Sequence, residues 1–122
     1  MSILRVAVAS DMHADGALDE PSDSYVRTEP PERLAYSNPL RDLIRFVAAK
    51  KMMRADVLLC PGDMTNRSDD LGKMYVWRAL NELAEALGAE KLYAAPGNHD
   101  LETHTPVPDP AAVLKNLTLV FH

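Results

Sequence analysis

Three short apolar runs, separated by two longer segments with helical periodicity, limit the folds open to this chain more than any other feature. The runs span residues 3–10, 56–60 and 91–95. Near-continuous apolar runs of this length are typical of strands that are buried on both faces of a parallel sheet. Because these strands alternate with helices, the sequence predicts right-handed βαβ crossovers and a mainly parallel α/β sheet.

The segment between the first two runs predicts a helix that begins near Asn38. Asn38 is a suitable N-cap, and Pro39 suits the first helical position. Three basic residues would lie in the last turn, where cations complement the helix dipole: Lys50, Lys51 and Arg54. An apolar stripe recurs at helical spacing and would face a core: Leu40, Leu43, Ile44, Val47 and Ala48.

The segment between the second and third runs predicts another helix. Ser68 would cap it, Asp69 and Asp70 would form an acidic first turn, and Gly88 would end it. Its apolar stripe is equally regular: Val76, Leu80, Leu83, Ala84 and Leu87. Cys60, at the end of the second run, is expected to be a small buried residue rather than a reactive thiol.

Two further segments have no strong periodicity. Residues 14–38 form a long polar stretch that predicts either a functional lid or a solvated loop, and both interpretations stay open. After the third run, residues 103–109 form a proline-rich loop. A short helix over 109–115 and a fourth strand over 117–121 are then expected.

Each predicted strand ends in a polar turn. The turns read Asp11-Met12-His13, Pro61-Gly62-Asp63 and Gly97-Asn98-His99-Asp100. Ligands of open α/β sheets bind beyond the carboxyl ends of the strands, so we expect the three turns to meet there. If the first strand stays extended, Asp11 and His13 point the same way, because side chains alternate along a strand.

The side chains in these turns suit metal-dependent phosphoryl chemistry. Two carboxylates, an imidazole and an amide oxygen form a donor set for Mn, Fe or Zn: Asp11, Asp63, His13 and Asn98. Two cations bridged by Asp63 could clamp a phosphoryl group and lower the pKa of a bridging water. His99 would stay off the metal and face the leaving oxygen or a nonbridging phosphate oxygen, and Asp100 or a backbone carbonyl would hold its ring. Each turn alone has an ordinary explanation as a polar strand end, but their order and shared position make the set informative.

On these three motifs the sequence resembles the calcineurin-like metallophosphoesterase superfamily over most of its length. The resemblance implies Asp11 and His13 on a first metal, Asp63 bridging, and Asn98 on a second metal. It also implies His99 as the proton donor with Asp100 behind it. The expected fold is a four-layer sandwich of two sheets flanked by helices. The expected reaction is hydrolysis of phosphomonoesters or phosphodiesters by a metal-bridging hydroxide. The turns look more like those of bacterial phosphodiesterases and nucleases than those of Ser/Thr protein phosphatases.

The sequence departs from that superfamily after the third turn. Members carry a further metal-binding histidine and a Gly-His-x-His motif, whereas only His104 and His122 follow here. We therefore expect residues 1–122 to form a single domain that resembles the amino-terminal half of the sandwich and is incomplete at its carboxyl end. The second metal site would then be incomplete, and an uncovered sheet face could drive self-association. The alternative is a truncated or degenerate, non-catalytic module for metal binding or interaction. A Rossmann-like nucleotide site is disfavoured because no Gly-x-Gly-x-x-Gly turn follows the first strand.

Composition limits the compartment and the partners. The formal net charge of -5 does not indicate a nucleic-acid groove, which needs a basic patch, but a nucleic acid stays open as a partner. The single cysteine excludes an internal disulfide and fits a reducing compartment. The sequence has neither a signal-peptide pattern nor an apolar run long enough to cross a membrane. We therefore expect a cytoplasmic protein whose partner is a phosphate-ester substrate rather than a membrane.

Overall fold

Three parallel strands and two helices alternate along the chain in the computed structural model, which describes residues 3–16, 26 and 38–101. Within these residues the elements are β1 (Val6–Val8), α1 (Pro39–Ala49), β2 (Val57–Cys60), α2 (Asp70–Leu87) and β3 (Lys91–Ala94). The strands form one sheet in the order β1-β2-β3, and both pairs are parallel. The predicted α/β class with βαβ crossovers is therefore confirmed. Predictions for most of residues 14–38 and for residues 103–122 lie outside the described part of the chain.

In the described part of the chain, the sheet is covered by helices on one face. Leu58 and Cys60 of β2 are buried at 0% and 1% exposure, on the side where α1 and α2 pack against each other. Val6 and Val8 alternate to the opposite face and are 47% and 64% exposed. Burial of the strands on both faces was therefore the wrong expectation for these residues. Right-handed crossovers that advance in the same direction across a sheet place their helices on the same side.

In the described part of the chain, helix α2 supplies more of the buried apolar core than any other element. Its predicted apolar stripe is buried along its full length: Val76, Leu80, Leu83, Ala84 and Leu87. Gly88 ends the helix in the left-handed conformation with φ of 70°, as expected. The N-cap is Asp69 rather than Ser68, because Asp69 has the extended backbone of a cap, while Ser68 has φ of 54°.

Helix α1 begins as predicted, with the side chain of Asn38 accepting a hydrogen bond from the amide of Arg41 at 3.1 Å. Leu40 and Val47 are buried, but Leu43 remains 42% exposed, so the stripe is narrower than predicted. The three basic residues expected in the last turn instead follow the helix, because it ends at Ala49. Neither helix in the described ranges is long and apolar enough to span a membrane.

Candidate metal centre

The loops that follow β1 and β2 run side by side beyond the sheet. A short parallel bridge joins Ala14 to Thr65. Three backbone hydrogen bonds lead up to it, from the amides of Asp11, His13 and Ala14 to the carbonyls of Gly62, Asp63 and Met64, at 3.2, 3.0 and 2.8 Å. The loop after the first strand is therefore fixed against the loop after the central strand, at the carboxyl edge of the sheet.

Asp11, His13 and Asp63 converge at this edge. One donor atom from each lies within 4.8 Å of the other two. All three residues have a left-handed backbone conformation, with φ of 56°, 45° and 51°. The expectation that Asp11 and His13 converge by remaining extended is therefore wrong. They converge because the chain turns through strained backbone conformations that non-glycine residues adopt rarely and that cluster at functional sites.

The donor atoms fit a single divalent cation. Metal–nitrogen and metal–oxygen bonds of about 2.0–2.2 Å allow two ligands of one cation to lie up to about 4.2 Å apart. The Oδ1 of Asp11 and the Nε2 of His13 lie 4.0 Å apart, within that span. Two carboxylates and an imidazole are hard or borderline donors that suit Mn, Fe or Zn. The donor atom of Asp63 lies within 4.8 Å of the other two, and small movements of side chains would bring all three within the span of one cation.

Two glycines allow the second and third turns to approach each other closely. A Cβ on Gly97 would lie 2.1 Å from the Oδ1 of Asp63, and one on Gly62 would lie 2.6 Å from the amide nitrogen of Gly97. The amide of His99 donates to the same Oδ1 of Asp63 at 3.0 Å. The third turn thus supports the carboxylate of Asp63, and only a glycine at position 97 leaves room for that carboxylate.

His99 lies against the candidate metal ligands. Its ring makes an edge contact with the ring of His13, with centroids 4.6 Å apart. Its Nδ1 lies 3.0 Å from the carbonyl oxygen of Asn66. A carbonyl can only accept, so this contact is a hydrogen bond when Nδ1 carries a proton. The other ring nitrogen, Nε2, takes no part in this contact. Of the two partners expected for the ring of His99, a backbone carbonyl or Asp100, the structure shows the carbonyl.

The carboxylate of Asp100 has a different position from the one expected. It is buried at 1% exposure, and it accepts from the amide and hydroxyl of Thr65 at 2.8 and 3.2 Å. Its other oxygen accepts from the amide of Gly97 at 2.8 Å. Asp100 therefore fastens the third turn to the loop after β2 instead of holding the ring of His99. Sequence reasoning missed Thr65 and Asn66, because threonine and asparagine are ordinary turn residues.

Asn98 and Cys60 are the two remaining residues that the sequence analysis singled out at this edge of the sheet. Asn98 is exposed in the turn before His99, and its role as a ligand of a second cation stays a prediction. Cys60 is buried as expected, and desolvation raises the pKa of its thiol. A buried neutral thiol is a packing residue rather than a ligand or a nucleophile.

A groove of ≈ 620 Å³ opens beside Asp11 and His13. The described residues of its lining include no lysine or arginine, and Ser10 and Asn66 are the other polar ones among them. Most of its side chains are apolar: Val8, Ala9, Met12, Val26, Pro39, Leu40 and Leu43. The groove gives a bound ester room next to the candidate metal ligands.

The sheet, the crossovers and this cluster of donors define an α/β domain with a candidate metal centre at the carboxyl ends of its strands. The family model for calcineurin-like phosphoesterases matches residues 4–121, so the chain belongs to that family. No curated protein matches the chain.

Proposed function

We propose that this protein hydrolyses phosphate esters with the help of divalent cations bound at the carboxyl edge of its sheet. The observation that carries the proposal is the convergence of Asp11, His13 and Asp63 beside His99, in a member of the calcineurin-like phosphoesterase family. Phosphodiesters and phosphomonoesters are both substrates of the proposed reaction.

Asp11, His13 and Asp63 would hold the first cation, and Asp63 and Asn98 would contribute to a second. Bound there, Mn, Fe or Zn supplies Lewis-acid polarisation of the phosphoryl group and an activated water. The chain's own contribution is to fix the donors in advance. The loop pairing holds the first two residues, and the amide of His99 holds Asp63.

His99 is the proposed proton donor to the leaving oxygen. The carbonyl of Asn66 fixes the Nδ1 side of the ring, so Nε2 is the atom that delivers the proton. Contact with the ring of His13 keeps His99 at the metal centre without making it a ligand. The alkoxide released from phosphorus takes that proton and leaves as an alcohol.

The setting of the reaction is also a proposal. The single cysteine remains a buried free thiol, which fits a reducing cytoplasm. Among the described residues that line the groove beside Asp11, none is cationic, which favours a small ester over a nucleic-acid backbone that needs several phosphate contacts.

The test compares the full chain with Asp63→Asn in Mn-dependent hydrolysis of bis(p-nitrophenyl) phosphate. We expect a low rate with the parent chain that exceeds the metal-free rate and falls about 10-fold or more in the variant, because Asp63 serves both cations. Asp56→Asn is the control, since Asp56 pairs with Arg5 at the start of the strands. Metal binding without any Asp63-dependent hydrolysis would overturn the proposal and favour a non-catalytic metal-binding module.

A further inference from the structure

A buried lysine lies beneath the turn that presents His99. Lys73, in the first part of α2, is only 3% exposed. Its Nζ donates to the Oγ of Ser68 at 3.1 Å and lies 3.4 Å from the Oδ1 of Asp70. Lysine is almost never buried to this extent without a partner, because its ammonium group loses hydration. Ser68 and Asp70 are the described partners that compensate for this loss of hydration.

The hydrogen-bonding capacities of Lys73 and Ser68 fix the direction of their contact. An ammonium group only donates, so the hydroxyl of Ser68 must accept from Lys73. The single proton of that hydroxyl is then directed to the carbonyl oxygen of Asp100, which lies 2.8 Å away. Lys73 thus orients a hydroxyl that would otherwise rotate.

Ser68 also contacts His99 directly. Its amide donates to the carbonyl of His99 at 2.8 Å, and the hydroxyl of Thr65 approaches the same carbonyl at 3.2 Å. Ser68 makes these contacts from a left-handed conformation with φ of 54°, which a non-glycine residue keeps only when its surroundings hold it. The charged contact from Lys73 is one of the interactions that hold it.

We infer that Lys73 is a positioning residue for His99, and that it acts through Ser68 on the turn that contains His99 and Asp100. The expected effect of Lys73 on catalysis rests on the proposed function, whereas its effect on the position of His99 does not. The described partners of Lys73 are Ser68 and Asp70, and neither is one of the three candidate ligands Asp11, His13 and Asp63. The loss of Lys73 should therefore loosen His99 while leaving the first metal site in place.

The main experiment compares Lys73→Met with the matched variant Asp70→Asn in the full chain. Lys73→Met removes the ammonium at nearly constant volume, whereas Asp70→Asn removes only the exposed partner of the same Nζ. We expect the amide of His99 to exchange with solvent about 10-fold faster in Lys73→Met, because a charged hydrogen bond is lost. The exchange at Leu80 should stay unchanged in both variants, and Zn binding should be retained, because the three converging donors are intact.

Ser68→Gly tests the same link without the buried charge as a complication. Glycine adopts a φ near 54° without strain, so the hydroxymethyl group is removed without adding backbone strain. We expect the ring signals of His99 to shift and broaden in its NMR spectrum, as in Lys73→Met, while the midpoint of unfolding stays close to the parent value. Where hydrolysis is measurable, kcat should fall more than metal affinity. Unchanged His99 exchange and ring signals in both variants would overturn the inference, whether or not the chain is an enzyme.

Discussion

At the scale of single residues, the close approach of Gly97 to Asp63 leads to a direct prediction. A methyl group at position 97 would lie 2.1 Å from the Oδ1 of Asp63 and 2.5 Å from its amide nitrogen. We expect Gly97→Ala to displace that carboxylate and to reduce metal affinity about 10-fold or more, the usual effect of disturbing the support of a ligand. Isothermal titration with Zn or Mn measures the change.

Gly88 provides the matched control for this substitution. A Cβ there would meet a side-chain atom of Arg54 at 3.4 Å, which is an ordinary contact, although φ is 70°. Gly88→Ala should therefore cost about 1–2 kcal/mol of stability through its backbone conformation and leave metal affinity unchanged. Equal metal affinity in Gly97→Ala and Gly88→Ala would contradict the proposed support of Asp63.

Cys60 leads to a prediction about pH. Burial raises the pKa of its thiol, and the carboxylates of Asp100 and Asp11 add to that effect. The folded state therefore holds the thiol proton more tightly than the unfolded state, whose pKa is about 8.5. Its contribution to stability is complete below that pH and is lost as pH rises through the folded value.

Thiol labelling tests the burial of Cys60 and the raised pKa of its thiol. We expect Cys60 to react slowly with a disulfide reagent at pH 8 in the native protein and rapidly once denaturant unfolds the chain, because the thiolate is the reactive species. Fast, stoichiometric labelling of the native protein at pH 8 would show that the thiol is neither buried nor protonated.

At the scale of secondary-structure elements, Asp69 connects the start of α2 to the loop after β1. Its carboxylate accepts from the amides of Leu71 and Gly72 at 3.3 and 2.6 Å, as an N-cap does. It also accepts from the amide of Gly16 at 2.8 Å. One side chain therefore caps a helix and fastens the loop that carries Asp11 and His13.

We expect Asp69→Ala to destabilise the protein by about 2 kcal/mol, at the upper end for a cap, because a loop contact is lost as well. Urea unfolding followed by circular dichroism measures it. Asp42→Ala in the first turn of α1 is the control and should cost about 0.5 kcal/mol or less. A loss for Asp69→Ala no larger than for Asp42→Ala would contradict the double role.

The elements of this fold were predictable from sequence to different degrees. The stripe of α2, the cap of α1 at Asn38 and the three strands were predictable, because periodicity and caps are local signals. The exposure of one face of the strands was not predictable, because the direction of the crossovers decides whether helices cover one face of the sheet or both. The convergence of Asp11, His13 and Asp63 was predictable from their place at strand ends. Their left-handed backbone and the partners of His99 and Asp100 were not, because they depend on contacts between distant loops.

At the scale of the whole molecule, the sheet face opposite the helices is apolar apart from Lys91 in the described part of the chain. Val8 and Tyr93 are 64% and 55% exposed there, on either side of Leu59 in the strand register. Exposed apolar surface of this kind favours association in water. We therefore predict that the 122-residue chain self-associates, which sedimentation velocity over a range of concentrations measures.

A double variant, Val8→Thr with Tyr93→Thr, should shift the chain toward the monomer, because threonine keeps the strand propensity while adding a polar group. Met74→Gln is the matched control, since Met74 is 60% exposed on α2, away from the sheet face. Association that responds equally to both changes would place the contact elsewhere.

The number of cations that the chain can hold follows from the distribution of donors over its three turns. Asp11, His13 and Asp63 give a first cation three converging donors, whereas a second would share Asp63 and gain only Asn98 among the predicted ligands. Two oxygen donors rarely hold a transition metal against water and buffer. We therefore predict that Mn or Zn titration of the 122-residue chain gives one firm site, that His13→Ala removes it, and that hydrolysis of aryl phosphodiesters stays slow. Two firm sites with an ordinary enzymatic rate in a monodisperse monomer would contradict this prediction. That result would mean that His104 or His122, outside the described residues, completes the second site.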